Sequence, residues 1–181
     1  DLDLRNKKAM VMASSKGLGR AIATQFADEG AHVVISSRDR DNLDSAKEHI
    51  VEVAAANRDA IHPIACDLED SDSIQPAVNE GIDALGRLHL LLTNHGGTTP
   101  RRFEEAPIEE FDAHYRSILR STVLVIKAAL PALKESSGSI TNLVAATARE
   151  PPEGLIYTST IRSGLFGLSK SLANEYAADG V

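Results

Sequence analysis

The sequence predicts an α/β protein, with a doubly wound parallel β-sheet covered by helices on both faces in three αβα layers. Short apolar segments alternate with longer segments of helical spacing along the whole chain, and this alternation is typical of βαβ units. Apolar residues make up 43% of the 181 residues, which is enough for one domain with a full core. A glycine-containing turn directly follows the first strand-like segment, where such sheets commonly bind ligands.

The predicted elements follow in strict order, and no repeat or linker interrupts them. The strand-like segments are 8–13, 31–37, 60–68, 88–94 and 138–146. The helix-like segments are 18–30, 40–57, 73–86, 109–134 and 157–178. Pro63 weakens the third strand, because proline cannot donate a ladder hydrogen bond, and Pro131 is expected to kink or end the fourth helix. A single domain spanning residues 1–181 follows from this order.

Charge and composition exclude several classes of partner. The net charge is −7, so there is no basic surplus for binding nucleic acid or an anionic membrane. No apolar run approaches the roughly 20 residues of a membrane helix, and the six histidines show no spacing typical of metal ligands. Cys66 is the only cysteine and is expected to be a buried free thiol. A cytoplasmic protein with no metal is therefore predicted.

The turn "MASSKGLGRA" (12–21) lies between the first strand and the first helix. Gly17 and Gly19 would let a pyrophosphate approach the backbone, and the helix would direct its N–H groups and positive dipole end at that anion. A plain tight turn is the alternative interpretation, and the surrounding strand–turn–helix order favours the phosphate loop.

The segment "ASSKGLGRAIA" resembles the glycine-rich turn of the short-chain dehydrogenase/reductase superfamily, whose domain is a Rossmann fold. Met12 and Ala13 take the first two places of that motif. The segments "CDL" (66–68), "TNHGG" (93–97) and "GLSKSLA" (167–173) also match family motifs. The chain thus resembles a divergent member, similar to 3-oxoacyl-ACP-reductase-like proteins. The resemblance covers essentially the whole chain.

The resemblance implies a set of residues that bind a nicotinamide dinucleotide. These are Ala13, Ser15, Lys16, Gly17, Leu18, Gly19, Ser37, Arg38, Asp67, Leu68, Asn94, Gly96 and Arg162. At the end of the second strand an acid would accept from the ribose 2′-hydroxyl of NAD, whereas an arginine would pair with the 2′-phosphate of NADP. Ser37 and Arg38 stand there, with Lys16 as a second cation, so NADP(H) is favoured over NAD(H). Solvated surface cations are the alternative interpretation.

The family's catalytic Asn, Ser, Tyr and Lys are all replaced when the chain is aligned on neighbouring motifs. The replacing residues, in that order, are Ile118, Ala145, Thr158 and Arg162. Arg162 could bind ribose hydroxyls, but its pKa is too high for it to move protons. Tyr157, one residue before the family position, would reach the site only if the last helix began with an irregular turn. His95 is the other candidate proton donor, and a loop histidine bound to the backbone is its alternative interpretation.

These residues predict a short-chain-type oxidoreductase that reduces a small carbonyl compound or oxidises an alcohol, with an altered active site. The alternative is a catalytically degenerate dinucleotide-binding protein that acts as a redox sensor or partner subunit. Arg101 and Arg102 could bind an anionic ligand, although a solvated pair is the simpler interpretation. A homodimer or homotetramer is implied by the resemblance, through helices 109–134 and 157–178. The segment that covers substrate in the family is expected to be missing after Val181.

Overall fold

The computed structural model describes residues 2–181 and has a five-stranded sheet in which every neighbouring pair of strands is parallel. The strands are β1 (Lys8–Val11), β2 (His32–Ser37), β3 (Ile61–Ala65), β4 (Leu90–Thr93) and β5 (Ser139–Asn142). Their spatial order is β3-β2-β1-β4-β5. The predicted doubly wound α/β class is therefore confirmed. The order reverses between β1 and β4, and this switch point opens a crevice at the carboxyl ends of the strands.

Six α-helices connect and follow the strands. They are α1 (Gly17–Asp28), α2 (Arg40–Val53), α3 (Ser71–Leu85), α4 (Ile108–His114), α5 (Ser121–Ser136) and α6 (Ile156–Tyr176). A π-helical segment, Tyr115–Arg120, joins α4 to α5. Short 3-10 turns cover Arg58–Ala60, Phe103–Glu105, Ala146–Ala148 and Ala177–Asp179. The predicted helix 109–134 is thus two helices with a π-segment between them.

The two faces of the sheet carry separate aliphatic cores. Val33 and Ile35 of β2 pack with Leu43 and Ile50 of α2 and with the alanines of α1 on one face. The other face packs β1 and β4 against α3 and α5, and leucines of α6 lie along its margin. Both faces of β1, β2 and β4 are buried, which explains why these strands are nearly continuous apolar runs.

Pro63 and Pro131 both lie inside regular elements, although proline is unfavourable in the interior of a strand or a helix. Pro63 lies within β3, opposite Ile35, and β3 is an edge strand, where the lost N–H faces away from the sheet. Pro131, expected to kink or end its helix, does not end it, because α5 continues to Ser136. Pro131 and Lys127, whose carbonyl loses its helical donor, are both exposed, so water can hydrate that carbonyl.

Three further observations bear on possible partners. Within residues 2–181, no helix combines the length and apolarity needed to cross a lipid bilayer. The same residues contain no cluster of three or more His, Cys, Asp or Glu side chains that could hold a metal ion. Ala129 is fully buried in the chain's own core, so this alanine cannot contribute to an interface between copies.

Candidate cofactor and active site

The glycine turn lies at the switch point and is packed against the neighbouring strand ends. Ala13 has φ +47° and Gly17 has φ +58°, so the turn uses the left-handed region twice. The Ala13 N–H donates to Ser36 Oγ at 3.1 Å, and the Asn94 side-chain amide donates to the Ala13 carbonyl at 3.1 Å. These bonds hold the turn between the ends of β2 and β4.

Gly19 is the position at which the turn tolerates no side chain. A Cβ there would lie 2.5 Å from the Ala13 carbonyl oxygen and 2.7 Å from Asn94 Nδ2. The first turn of α1 contains no acidic residue, and its N-cap, Lys16, makes no side-chain capping bond. The positive end of the α1 dipole is therefore left without a local counter-charge, which suits an anion. Leu18 is 68% exposed beside this turn, where it could cover a bound nucleotide.

The predicted adenosine end is formed by the carboxyl ends of β2 and β3. Ser37 Oγ lies 3.1 Å from Ser15 Oγ, which joins β2 to the glycine turn. Arg38 is mostly exposed, and its Nη1 lies 3.5 Å from Glu69 Oε1. Asp67 Oδ1 accepts from the Glu69 N–H at 3.0 Å, so this carboxylate is held at the end of β3. Ser37 and Arg38 therefore lie at the end of β2 next to the glycine turn, and the Glu69 carboxylate is in contact with the Arg38 guanidinium.

Cys66 precedes Asp67 and is buried as predicted. Burial raises the pKa of the Cys66 thiol to about 11, so the thiol stays protonated at neutral pH and is a poor nucleophile.

The predicted nicotinamide end lies between the loop after β4 and one face of α6. Arg162 Nη2 donates to the Gly96 carbonyl at 2.9 Å. Thr98 Oγ1 and Thr158 Oγ1 form a second hydrogen bond between the same loop and helix. Thr158 and Arg162 are four residues apart, so they lie on one face of α6. His95, Gly96 and Arg162 are therefore brought together as the sequence predicted.

Polar atoms without partners are concentrated at this end. Among the described residues, six buried side-chain atoms make no hydrogen bond, and five of them belong to His95, Thr147, Ser159 and Arg162. His95 is only 7% exposed, yet both of its ring nitrogens are in this set. A buried polar atom without a partner is costly. His95 and Arg162 fit a ligand with several hydrogen-bonding groups, as the ribose and carboxamide of a nicotinamide dinucleotide provide.

The charge state of His95 follows from its surroundings. Burial, together with the neighbouring Arg162 guanidinium, lowers the pKa of His95 to about 4. The imidazole is therefore neutral at pH 7, with one nitrogen as donor and the other as acceptor. Burial also lowers the pKa of Arg162, although an arginine remains cationic at neutral pH.

This buried neutral histidine predicts a pH-dependent stability. The pKa of His95 is lower in the folded chain than the ordinary 6.5. As pH falls, the unfolded chain therefore binds a proton at this histidine before the folded chain does. The folded chain loses stability between about pH 6.5 and pH 4 as a result. Linkage gives a loss of about 2 kcal/mol between pH 7 and pH 5 from this group. Urea unfolding at both pH values measures this loss. Between pH 7 and pH 5, the free energy of unfolding should fall by about 2 kcal/mol less in His95→Asn than in the unmodified chain. Equal losses would contradict the buried neutral histidine.

Tyr157 is not brought to the site. Its side chain is 0% exposed, and its hydroxyl donates to the Pro107 carbonyl at 3.0 Å. The ring packs against His114 and Phe111, with centroid distances of 5.0 and 6.1 Å. α6 begins at Ile156, after a turn in which Gly154 has φ +75°, and this turn directs Tyr157 to α4 instead of to His95. The sequence-based placement of Tyr157 against substrate is therefore corrected, because its phenol completes the packing between α6 and α4.

Two other residues that the sequence analysis aligned with catalytic positions, Ile118 and Ala145, have no group that could replace the phenol. Ile118 is buried in the same small core as Tyr157. Ala145 follows β5 and precedes the 3-10 turn Ala146–Ala148. Sequence reasoning did not single out four hydroxyl residues: Ser36 near the end of β2, Thr98 in the loop after β4, Thr147 in the 3-10 turn after β5, and Ser159 on α6. No sequence pattern marks them, because their roles depend on contacts between distant segments.

Comparisons with known proteins agree with this geometry. The family model described as short chain dehydrogenase matches residues 7–181. The chain is 28% identical to uncharacterized oxidoreductase YxbG of Bacillus subtilis, covering 98% of this chain and 64% of that protein. It is 34% identical to LinX, a 2,5-dichloro-2,5-cyclohexadiene-1,4-diol dehydrogenase of Sphingobium indicum, over 98% of this chain and 70% of that protein.

Among solved structures, L-sorbose reductase from Gluconobacter frateurii, complexed with NADPH and L-sorbose, superposes with a TM-score of 0.88 at 26% identity. That comparison covers 97% of this chain and 66% of the reductase. The chain therefore spans about two thirds of the length of the proteins that it matches. A family model covering nearly the whole chain, together with the glycine turn at the switch point, shows that the chain belongs to the short-chain dehydrogenase family.

Proposed function

We propose that this protein is an NADP(H)-dependent oxidoreductase that interconverts an alcohol and a carbonyl compound in a site built around His95 and Arg162. One observation carries the proposal. Gly19, at the start of α1, packs directly against the Ala13 carbonyl and Asn94, which leaves the helix N-terminus open at the switch point of the sheet. Family relatives that are named dehydrogenases and reductases support the reaction class.

Each end of the crevice has a role in this proposal. The turn 13–19 and the N-terminus of α1 bind the pyrophosphate. Ser37 and Arg38 bind the adenosine ribose and its 2′-phosphate, with Asp67 and Leu68 beside the adenine. The Arg38–Glu69 contact is long, at 3.5 Å, and exposed, so the phosphate can replace that carboxylate at little cost. Asn94 and Gly96 lie by the nicotinamide, whose ring supplies or accepts the hydride when bound. NADPH in the L-sorbose reductase structure supports the choice of the phosphorylated cofactor.

The proposed chemistry of the chain's own residues follows from their charge. Arg162 uses one nitrogen on the Gly96 carbonyl, and its unpartnered Nε donates towards the ribose. In the oxidation direction, neutral His95 accepts the hydroxyl proton of the alcohol and becomes an imidazolium, which releases that proton to solvent. In the reduction direction, His95 takes a proton from solvent and donates it to the alkoxide oxygen that hydride transfer leaves. The positive charge of Arg162 stabilises negative charge that develops on that oxygen.

Turnover tests the reaction class. A panel of small ketones with NADPH, and of secondary alcohols with NADP⁺, should give cofactor-dependent turnover in the complete protein. His95→Asn should reduce the rate by about 10²-fold or more, because a positioned acid–base group contributes that much. Saturable cofactor binding without turnover on either panel would contradict the oxidoreductase proposal.

Cofactor choice is tested by charge reversal. Arg38→Glu should weaken NADPH binding about tenfold or more, because a carboxylate repels the 2′-phosphate that an arginine would pair. NADH binding should change little. The matched control is Arg87→Glu, which makes the same charge change at the amino end of β4. Equal loss of both cofactors in Arg38→Glu, or an equal effect of Arg87→Glu, would contradict the assignment of Arg38.

A further inference from the structure

A pocket of about 420 Å³ is lined by Ser159 of α6, the residue that follows Thr158 in the chain. Its two walls are the segment 101–105 after β4 and the segment 151–156, which ends on the first residue of α6. Arg101 and Leu155 form a parallel bridge between these walls, and the Ile156 N–H donates to the Arg101 carbonyl at 3.3 Å. The walls are therefore joined through the backbone. The volume falls in the range of small-molecule sites, roughly 300–1,000 Å³.

The charges along the pocket disfavour an anion. Arg101 Nη2 lies 3.1 Å from Glu110 Oε1, and Arg102 Nη2 lies 3.0 Å from Glu153 Oε2. Each guanidinium thus already has a carboxylate partner. Two further carboxylates, Glu104 and Glu105, line the same pocket. An anionic ligand would have to displace a glutamate and remain close to others, so the earlier possibility that these arginines bind an anion is not supported by the contacts.

The remaining lining favours an uncharged, mainly apolar ligand. Phe103, Pro151, Pro152 and Ile156 line the pocket with carbon. A carboxylate would lose hydration against these carbon atoms and would find no unpaired cation in return, whereas an apolar ring would not. An engineered cavity of about 150 Å³ accommodates benzene, so this pocket has room for a fused or substituted ring.

One buried polar atom marks where such a ligand would be held. Ser159 lines the pocket and is only 8% exposed, and its Oγ makes no hydrogen bond to any of residues 2–181. A hydroxyl can donate one hydrogen bond and accept others. The Oγ itself is buried in this structure, so a rotation about χ1 would turn it to a ketone, ether or hydroxyl oxygen on the ligand.

The pocket and the His95–Arg162 site share one turn of α6. Thr158 and Arg162 face the loop after β4, and Ser159 is the next residue after Thr158, turned by about 100° around the helix. One molecule can therefore place its reacting oxygen at the first face and its body against the second.

We propose that this pocket holds the body of the substrate, an uncharged, mainly apolar, ring-containing carbonyl compound or alcohol, with Ser159 hydrogen-bonded to one of its oxygens. This inference rests on the proposed function, which it narrows to a substrate class. Acidic substrates such as keto acids are disfavoured, because both arginines already contact carboxylates and two further glutamates line the pocket.

The test compares two ligands that differ by one charge. α-Tetralone and a ring-carboxylated α-tetralone are titrated into the full chain by calorimetry, with NADPH titrated into the same preparations. The neutral ketone should bind at least about tenfold more tightly than the carboxylate. Ser159→Ala should weaken binding of the neutral ketone about three- to tenfold, which corresponds to one ordinary hydrogen bond. The matched control is Ser171→Ala, because Ser171 is an exposed serine on the same helix.

Each outcome decides the inference. Carboxylate binding equal to or tighter than ketone binding would overturn it, as would Ser159→Ala and Ser171→Ala behaving alike. NADPH binding without ketone binding would overturn the inference and leave the proposed function standing. Ketone binding that shows the Ser159 dependence, without NADPH binding, would support the pocket and overturn the proposed function.

Discussion

Replacing Tyr157 by phenylalanine should leave cofactor binding and turnover nearly unchanged and lower the free energy of unfolding by about 1 kcal/mol. The hydroxyl of Tyr157 donates to the Pro107 carbonyl, so its removal costs one net hydrogen bond. Replacing Tyr157 by alanine should cost about 3–5 kcal/mol, because a fully buried aromatic ring would leave a cavity. Chemical denaturation of both variants, together with NADPH titration, measures these effects.

The matched control is Tyr115→Phe. Tyr115 is 42% exposed, and loss of its hydroxyl should change stability by less than about 0.5 kcal/mol. A Tyr157→Phe variant that kept its stability but lost turnover by two orders of magnitude would show that Tyr157 acts on substrate. The buried placement described above would then be wrong for the working protein.

Replacing Gly19 by alanine should weaken NADPH binding about tenfold or more and destabilise the chain by about 1–3 kcal/mol. The added methyl would lie 2.5 Å from the Ala13 carbonyl oxygen and 2.9 Å from the Ser14 Cα. These are backbone atoms, so the turn itself would have to move. Because the turn is also hydrogen-bonded to Ser36 and Asn94, its movement would disturb the ends of β2 and β4.

Gly167→Ala provides the control for this substitution. Gly167 lies in α6, and a Cβ there would meet no atom within 4 Å among the described residues. Alanine is favoured over glycine in a helix by about 0.5–1 kcal/mol, so this variant should bind NADPH normally and be slightly more stable. Normal NADPH binding by Gly19→Ala would contradict the phosphate-loop assignment.

The fold could be predicted from the sequence because its determinants are local. Alternating apolar segments identified all five strands, and the helical spacing placed α1, α2, α3 and α6 to within a few residues. The turn around Gly17 and Gly19 could also be located, since its glycines lie directly between a strand and a helix. Strand ends were less accurate. The fifth strand was predicted over 138–146, and β5 ends at Asn142.

The details of the site depend on contacts between distant segments, and the sequence does not encode these in any local pattern. The direction of Tyr157 is determined by its packing against Phe111 and His114, some 43 to 46 residues earlier. Thr98 and Thr158 meet across 60 residues. The partners of Arg101 and Arg102 could not be assigned because several nearby glutamates were equally plausible. The burial of His95, which lowers its pKa, could not be predicted either, because it depends on where the loop after β4 packs in the fold.

Direct titration of NADPH into the unmodified chain, followed by nicotinamide fluorescence, tests the central claim that the crevice at the switch point binds this cofactor. The account predicts a saturable enhancement that Gly19→Ala abolishes or weakens strongly and that Gly167→Ala leaves intact. The absence of a saturable signal with either NADPH or NADH would contradict the claim, and the glycine turn would then be an element of the fold without a role in binding.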